Sequence, residues 1–153
     1  HYSYSEVGWN SRMGSIQGAF LSRSMEFIDE MLASRREAFA RYHEILSHDA
    51  KASKFQLHTP PSGVTPNGYL LVITLRDRSP EQIAELLKAR GVATARTYPE
   101  TIGEQVPARS ALRVSELPNS RAICKSVINL PLFAYIKPEE VDEAARAFLD
   151  VLT

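Results

Sequence analysis

The sequence predicts an α+β domain in which a long N-terminal helical segment precedes a small sheet of about three strands with helices on one face. Three observations predict it. Apolar residues recur at spacings near three and four between about Ser11 and about His48. Tyr69–Leu75 is a continuous apolar run, the form of a central strand. Proline-led, acid-rich helix starts at Pro80 and Pro138 then alternate with short β-branched stretches.

Taken in order, residues 1–10 are aromatic and polar without periodicity, so they read as a loop or linker, and residues 11–153 as the domain. In the helical segment Phe27, Ile28, Met31, Leu32, Phe39, Tyr42, Ile45 and Leu46 form one stripe. A single helix of that length is unusual in a compact domain, and Ser22-Arg23-Ser24 is the expected break. Gly14 and Gly18 share a face and weaken the first helix. Arg35, Arg36 and Arg41 mark the polar side, a solvated face or an isolated anion site.

Residues 49–68 read as a connector with at most a short strand at Phe55–His58, and Tyr69–Leu75 follows as the central strand. Ser79 caps the next helix, Pro80 occupies its first position and Gln82 is placed to close a capping box. Ile83, Leu86 and Leu87 form its buried face and Gly91 ends it. Val92–Arg96 is the next expected strand. Residues 97–114 form a long loop, often a functional feature in a compact domain. Pro118 opens a short helix with Ile123 and Cys124 inward, and Val127–Leu132 is the third strand. The last helix begins at Pro138 and buries Val141, Ala144, Ala145, Phe148, Leu149 and Leu152.

Bulk properties exclude several classes. At 44% hydrophobic and 24% charged, the chain is neither disordered nor membrane-spanning in composition. Eighteen basic residues balance eighteen acidic ones, which argues against an electrostatic nucleic-acid binder. The single cysteine, Cys124, cannot close an internal disulfide, so a reduced, cytoplasmic setting is expected. His1, His43, His48 and His58 lack zinc-ligand spacing, and no Gly-rich phosphate loop follows a strand. No serine sits in a nucleophile elbow. The opening His1-Tyr2-Ser3-Tyr4-Ser5 reads as mid-chain sequence, so a fragment or processed piece is expected.

The stretch richest in chemistry is Gly8-Trp9-Asn10-Ser11-Arg12-Met13, a polar turn entering the first helix. Helix N-termini favour anions, and arginine's planar fork matches a phosphate or carboxylate. Two readings of these residues stand. Asn10, Arg12 and the helix start hold a phosphate together, or Asn10 is only the N-cap over Met13 and Arg12 a solvated first-turn residue.

This stretch, with Ile16-Gln17-Gly18-Ala19 after it, resembles the Gly-aromatic-Asn-x-Arg-Met…Leu-Gln-Ala-Ala signature of the DegT/DnrJ/EryC1/StrS sugar aminotransferases, pyridoxal-phosphate enzymes of the aspartate aminotransferase fold. Arg35-Arg36-Glu37 with Arg41-Tyr42, and Lys88-Ala89-Arg90-Gly91-Val92 with Tyr98-Pro99, resemble later family segments. Leu117-Pro118, Asn129-Leu130-Pro131-Leu132 and Pro138-Glu139-Glu140-Val141 match its closing motifs in order. The likeness runs from about Gly8 to about Leu152 and corresponds to the C-terminal portion of a family member.

The resemblance implies an incomplete active site. The family lysine that forms the Schiff base with pyridoxal phosphate precedes the matched region, as does the acidic partner of the pyridinium nitrogen. Lys51, Lys54, Lys88, Lys125 and Lys137 stand in the wrong elements to replace that lysine. The chain alone is therefore expected to have no catalytic residue and to hold no cofactor covalently, whereas the parent is a transaminase. Family dimers build each site from both subunits, so a homodimer or higher oligomer is implied. By that resemblance Asn10 donates to the cofactor phosphate, and Arg12 contacts the phosphate or an anionic substrate group. Tyr98 stacks on the nucleotide-sugar substrate or anchors its loop in the core. The family often has a histidine shortly after Tyr-Pro, where this chain reads Glu100-Thr101-Ile102-Gly103-Glu104-Gln105. The implied reaction moves an amino group, with glutamate as donor, to a keto sugar on a nucleotide. The alternatives are a pyridoxal-phosphate-dependent sugar dehydratase, a non-catalytic dimerisation or binding module, and a ligand-sensing domain.

Overall fold

A computed structural model describes residues 12–108 and 116–152. The expected linker at residues 1–10 lies outside the described residues, as does part of the 97–114 loop. Two helices lead, α1 (Ser15–Met25) and α2 (Ile28–Ser47). After a 3-10 turn at Ala50–Lys54 come β1 (Phe55–Leu57), β2 (Leu71–Leu75) and α3 (Pro80–Lys88). Two further 3-10 turns, Ile102–Glu104 and Val106–Ala108, precede α4 (Pro118–Ser126), β3 (Val127–Leu130) and α5 (Pro138–Val151). This is the α+β architecture the sequence predicts.

The sheet is antiparallel in the order β1-β2-β3, with β2 central. Its register sets Phe55 against Leu75, Ile73 against Ile128 and Leu71 against Leu130. Strand alternation therefore puts these apolar residues on one face. That face meets Tyr42 and Leu46 of α2, Ile83 and Leu87 of α3, and Val141, Ala145 and Phe148 of α5 in one buried core. Phe55 meets Phe148 edge-on at 5.2 Å between centroids, and each such buried aromatic contributes about 1.5–3 kcal/mol. Tyr42 is fully buried, and its hydroxyl donates to the Pro131 carbonyl at 2.9 Å.

Local signals account for the helix ends. Ser79 Oγ accepts from the Glu81 N–H at 3.2 Å, and Pro80 fills the first position. Gly91, with φ of +80°, closes α3: its N–H returns to Lys88 and the Val92 N–H to Leu87, the paired bonds of a Schellman ending. Every residue expected on the inner face of α5 is buried.

The structure corrects several expectations. The first helix starts at Ser15, not Ser11, and the break falls at Glu26-Phe27 rather than Ser22-Arg23-Ser24. Ser24 remains within α1, and its hydroxyl bonds back to the Phe20 carbonyl at 3.0 Å. The short strand expected at Phe55–His58 is present as Phe55–Leu57, whereas Val92–Arg96, expected as a strand, contributes only the single bridge Ala95–Asn129. The last strand stops at Leu130 because Pro131 has no N–H to continue it. Leu86 and Ile123, expected inward, are exposed: among the described residues no element covers them.

Candidate functional site

Arg12 lies in the extended lead-in to α1 and is exposed. No ion pair involving it occurs among the described residues. The helix behind it is capped at Gly14, whose N–H donates to Gln17 Oε1 at 2.9 Å. Gly14 holds the N-cap position of α1, and Asn10 lies outside the described residues. The first turn of α1 carries no acid to compete for an incoming anion. No residue of α1 is buried. Met13, Ile16, Phe20 and Leu21 instead line an open apolar cleft of about 590 Å³ next to Arg12.

The second sequence-predicted site residue, Tyr98, follows a stretch tied to β3. Ala95 and Asn129 exchange both backbone bonds, at 3.1 and 2.8 Å. The Thr97 N–H then donates to Asn129 Oδ1 at 3.2 Å. The chain turns through Tyr98 with φ of +62°, and the ring is 65% exposed. Tyr98 therefore does not anchor its loop in the core. Thr101 and Gln105, both buried, do that. Glu104 closes the turn by accepting from the Thr101 N–H at 2.9 Å and from its hydroxyl at 2.7 Å. Those two bonds, with a smaller contribution from the Arg121 guanidinium at 3.2 Å, hold the Glu104 carboxyl below the usual carboxylate range. Gln105 Nε2 donates to Glu100 Oε2 at 3.2 Å and secures the other side.

Of the described clefts, the one lined by Met13, Ile16, Phe20 and Leu21 does not include Tyr98. Arg12 precedes α1, and Tyr98 follows the Ala95–Thr97 stretch that bonds to Asn129 of β3; both are exposed. Two of the three arginines expected on the polar side of α2 are engaged within the fold. Arg41 grips Asp142 of α5 with two bonds of 2.5 and 2.8 Å, and Arg36 Nε donates to the Pro66 carbonyl at 2.9 Å. The cleft of about 750 Å³ beside Arg41 sets Glu44, Asp49 and Asp142 against Arg41 and Arg146, an acidic excess that disfavours an anion there.

Several of the remaining candidate groups have structural partners. Lys51 Nζ donates to the Leu149 carbonyl at 2.7 Å and Lys54 Nζ to that of Leu152 at 2.6 Å. His48 bonds the Glu44 carbonyl, and His58 the Thr74 hydroxyl, each at 2.8 Å. His43 packs on Phe39 with ring centroids 4.4 Å apart. Among the described residues no group of three histidines, cysteines or carboxylates is placed to hold a metal ion, and no helix is long and apolar enough to cross a membrane.

Sequence reasoning missed two residues that shape the Tyr98 corner. Asn129, 3% exposed in mid-strand, ties Thr97 as described. Arg96 reaches Glu81 with one nitrogen and the Cys124 carbonyl with another at 2.8 Å, joining the start of α3 to the end of α4. An asparagine inside an apolar strand was the available signal for the first, since a buried amide demands partners.

Comparison with known proteins gives a consistent result. The model of the DegT/DnrJ/EryC1/StrS aminotransferase family matches residues 1–149. The chain is 30% identical over 135 residues to the UDP-2-acetamido-2-deoxy-3-oxo-D-glucuronate aminotransferase of Pseudomonas aeruginosa, covering 88% of this chain and 35% of that protein. It is 28% identical over 149 residues to the dTDP-3-amino-3,6-dideoxy-alpha-D-galactopyranose transaminase of Aneurinibacillus thermoaerophilus, covering 96% and 39%. A pleiotropic regulatory protein of Geobacillus stearothermophilus is 27% identical over 141 residues, with 91% and 37% covered. The chain thus spans little more than a third of the length of each. Among solved structures, a DegT/DnrJ/EryC1/StrS aminotransferase from Brucella abortus superposes with a TM-score of 0.79 at 20% identity, over 99% of this chain and 39% of that one.

Proposed function

The chain belongs to the DegT/DnrJ/EryC1/StrS aminotransferase family, and from that premise we propose that it is the C-terminal portion of a pyridoxal-phosphate enzyme that aminates a nucleotide-linked keto sugar. Glutamate is the donor in this reading, and the chain is not catalytic alone. The observation that carries it is the exposed Arg12 guanidinium, without an ion-pair partner among the described residues, at the head of an uncovered apolar helix. A charged fork at the rim of an apolar face suits a phosphate delivered by a second molecule that buries that face.

The donor set fits the phosphate of the cofactor: Arg12 supplies a planar fork, and Asn10 by its motif a side-chain amide. The set does not extend to covalent attachment: by the resemblance the chain's five lysines lie outside the family's Schiff-base segment, and Lys51 and Lys54 are engaged by carbonyls of the α5 end. When bound, the cofactor supplies the electron sink for proton loss at the amino-bearing carbon. This chain's part is to bind and orient. Arg12 and Asn10 hold the phosphate across a homodimer interface, and Tyr98 lays its ring against the nucleotide sugar. The two relatives named for sugar nucleotides support this substrate class.

A second reading, a non-catalytic module descended from the family, is favoured by the similarity to the pleiotropic regulatory protein. One experiment separates them. The complete protein is incubated with pyridoxal phosphate, glutamate and UDP- or dTDP-linked keto sugars, and 2-oxoglutarate and amino sugar are measured. Stoichiometric formation of both supports the aminotransferase. A complete protein that neither binds the cofactor nor forms 2-oxoglutarate establishes the module.

A further inference from the structure

We propose that Asn129 is a positioning residue that holds Tyr98 in its ligand-facing turn; this rests on the reading of Tyr98 as a contact for the nucleotide sugar. Asn129 lies in β3 between Ile128 and Leu130, which face the core, so by alternation its side chain serves the opposite face. All four residues of β3 are buried, a setting in which an apolar residue is the default. An amide there is tolerated only if bonded. Asn129 places its bonds at the bend: Oδ1 accepts from the Thr97 N–H at 3.2 Å, Nδ2 reaches toward the Leu71 carbonyl at 3.5 Å, and its backbone pairs with Ala95.

The turn that follows opposes its own local preferences. Tyr98 has φ of +62°, a left-handed conformation that bulky L-residues seldom adopt. It also precedes Pro99, and a residue before proline is driven toward extended backbone. Two anchors hold the segment against that tendency. Asn129 fixes the chain just before Tyr98, and the Thr101–Glu104 closure fixes it just after. The exposed ring is thereby presented already ordered, so a ligand stacking on it bears little of the cost of ordering the loop. The ligand class that fits is a flat or weakly polar face, a nucleobase or a pyranose ring. Loss of the anchor lets Thr97–Pro99 relax toward extended backbone and withdraws the ring.

The test uses Asn129→Leu, with Asn129→Ser as a second variant should leucine fail to fold. In the 153-residue chain, exchange at the Thr97 amide accelerates at least tenfold, while the Ile73 and Ile128 amides keep their protection. In the complete protein, calorimetric binding of UDP-N-acetylglucosamine and dTDP-glucose weakens about tenfold. Combining the variant with Tyr98→Ala adds nothing further, because both act through one ring. Unchanged Thr97 exchange, or binding losses that add, overturns the proposal. A wild type that binds neither probe, or a Tyr98→Ala protein that binds as wild type, removes the ligand from this turn and the positioning role with it. That failure is recognisable as a failure of the Tyr98 reading, because Thr97 exchange still responds to Asn129.

Discussion

Lys51 donates its ammonium to the carbonyl of Leu149, 98 residues away, at 2.7 Å. Lys54 does the same to Leu152 at 2.6 Å, and Arg90 to Ala147 at 3.2 Å. The last turn of α5 has no basic residue of its own, so its terminal carbonyls are capped from elsewhere in the fold. Lys51→Met is expected to lower stability by about 0.5–1.5 kcal/mol, and Lys54→Met by a similar amount. The urea midpoint should fall with an unchanged slope. A midpoint equal to wild type would show these bonds to be neutral.

In the complete protein Asn10→Ala should weaken retention of pyridoxal phosphate by about 1.5–3 kcal/mol, the value of a hydrogen bond to a charged group. That is roughly a tenfold to 150-fold rise in Kd. Titration of the variant with the cofactor, followed by its absorbance, measures the change. An unaltered Kd would remove Asn10 from the phosphate site.

The 153-residue chain should self-associate through α1. Ile16 is 88% and Phe20 77% exposed, beside Met13 and Leu21 on the same cleft, and contiguous apolar patches of this kind are unusual on monomers. Light scattering at millimolar concentration should report species larger than a monomer, and Ile16→Lys with Phe20→Glu should return them to one chain. A wild-type chain that stays monomeric under those conditions refutes the interface.

Burial holds the His43 imidazole below its ordinary value of 6.5, against a weaker opposing effect from a hydrogen bond with the His58 backbone. The unfolded chain consequently binds more protons than the folded one as pH falls. His43's contribution is fully present above about pH 6.5 and is lost as pH drops from there through its lower folded value. The urea midpoint should fall between pH 7.5 and 5.5. His43→Phe, which retains the stacking on Phe39, should make that fall smaller. An identical fall in the variant would assign the pH dependence to other groups.

Gly68 and Gly91 separate two reasons for glycine. Both have positive φ, +63° and +80°. A Cβ at Gly68 would lie 2.7 Å from Arg35 Cβ and 3.0 Å from its backbone, whereas nothing lies within 4 Å of one at Gly91. Gly91→Ala should cost about 1 kcal/mol from conformation alone. Gly68→Ala should cost about 2–4 kcal/mol, because overpacking against α2 adds to it. Equal losses in chemical denaturation would mean that Arg35 yields freely.

Much of the fold was legible because its signals are local. The apolar period of Pro138–Val151, the Ser79-Pro80 cap and the Gly91 ending each act within a turn of chain, and each stands where the sequence puts it. Misreadings fell where a local pattern met a tertiary decision. Val92–Arg96 alternates like a strand but only Ala95 pairs, because the chain must turn at Tyr98. The short strand expected near Phe55 was present, but that it is an edge strand paired with Ile73–Leu75 only the fold could decide. At the candidate site, Arg12 and Tyr98 could be singled out by residue type and motif. Asn129 stood out only as a polar residue in an apolar strand; its bond to Thr97, 32 residues away, came from the tertiary structure.

The sequence by itself determined the class of the domain, its helix faces and its family, because periodicity, caps and motifs are written in consecutive residues. Tertiary structure alone decided which strand sits at the sheet edge, which arginines are spent on Asp142 and Pro66, and how the Tyr98 turn is held. Those outcomes depend on hydrogen bonds between groups far apart in the chain, whose meeting is arranged by burial of a common core rather than by any neighbour in sequence.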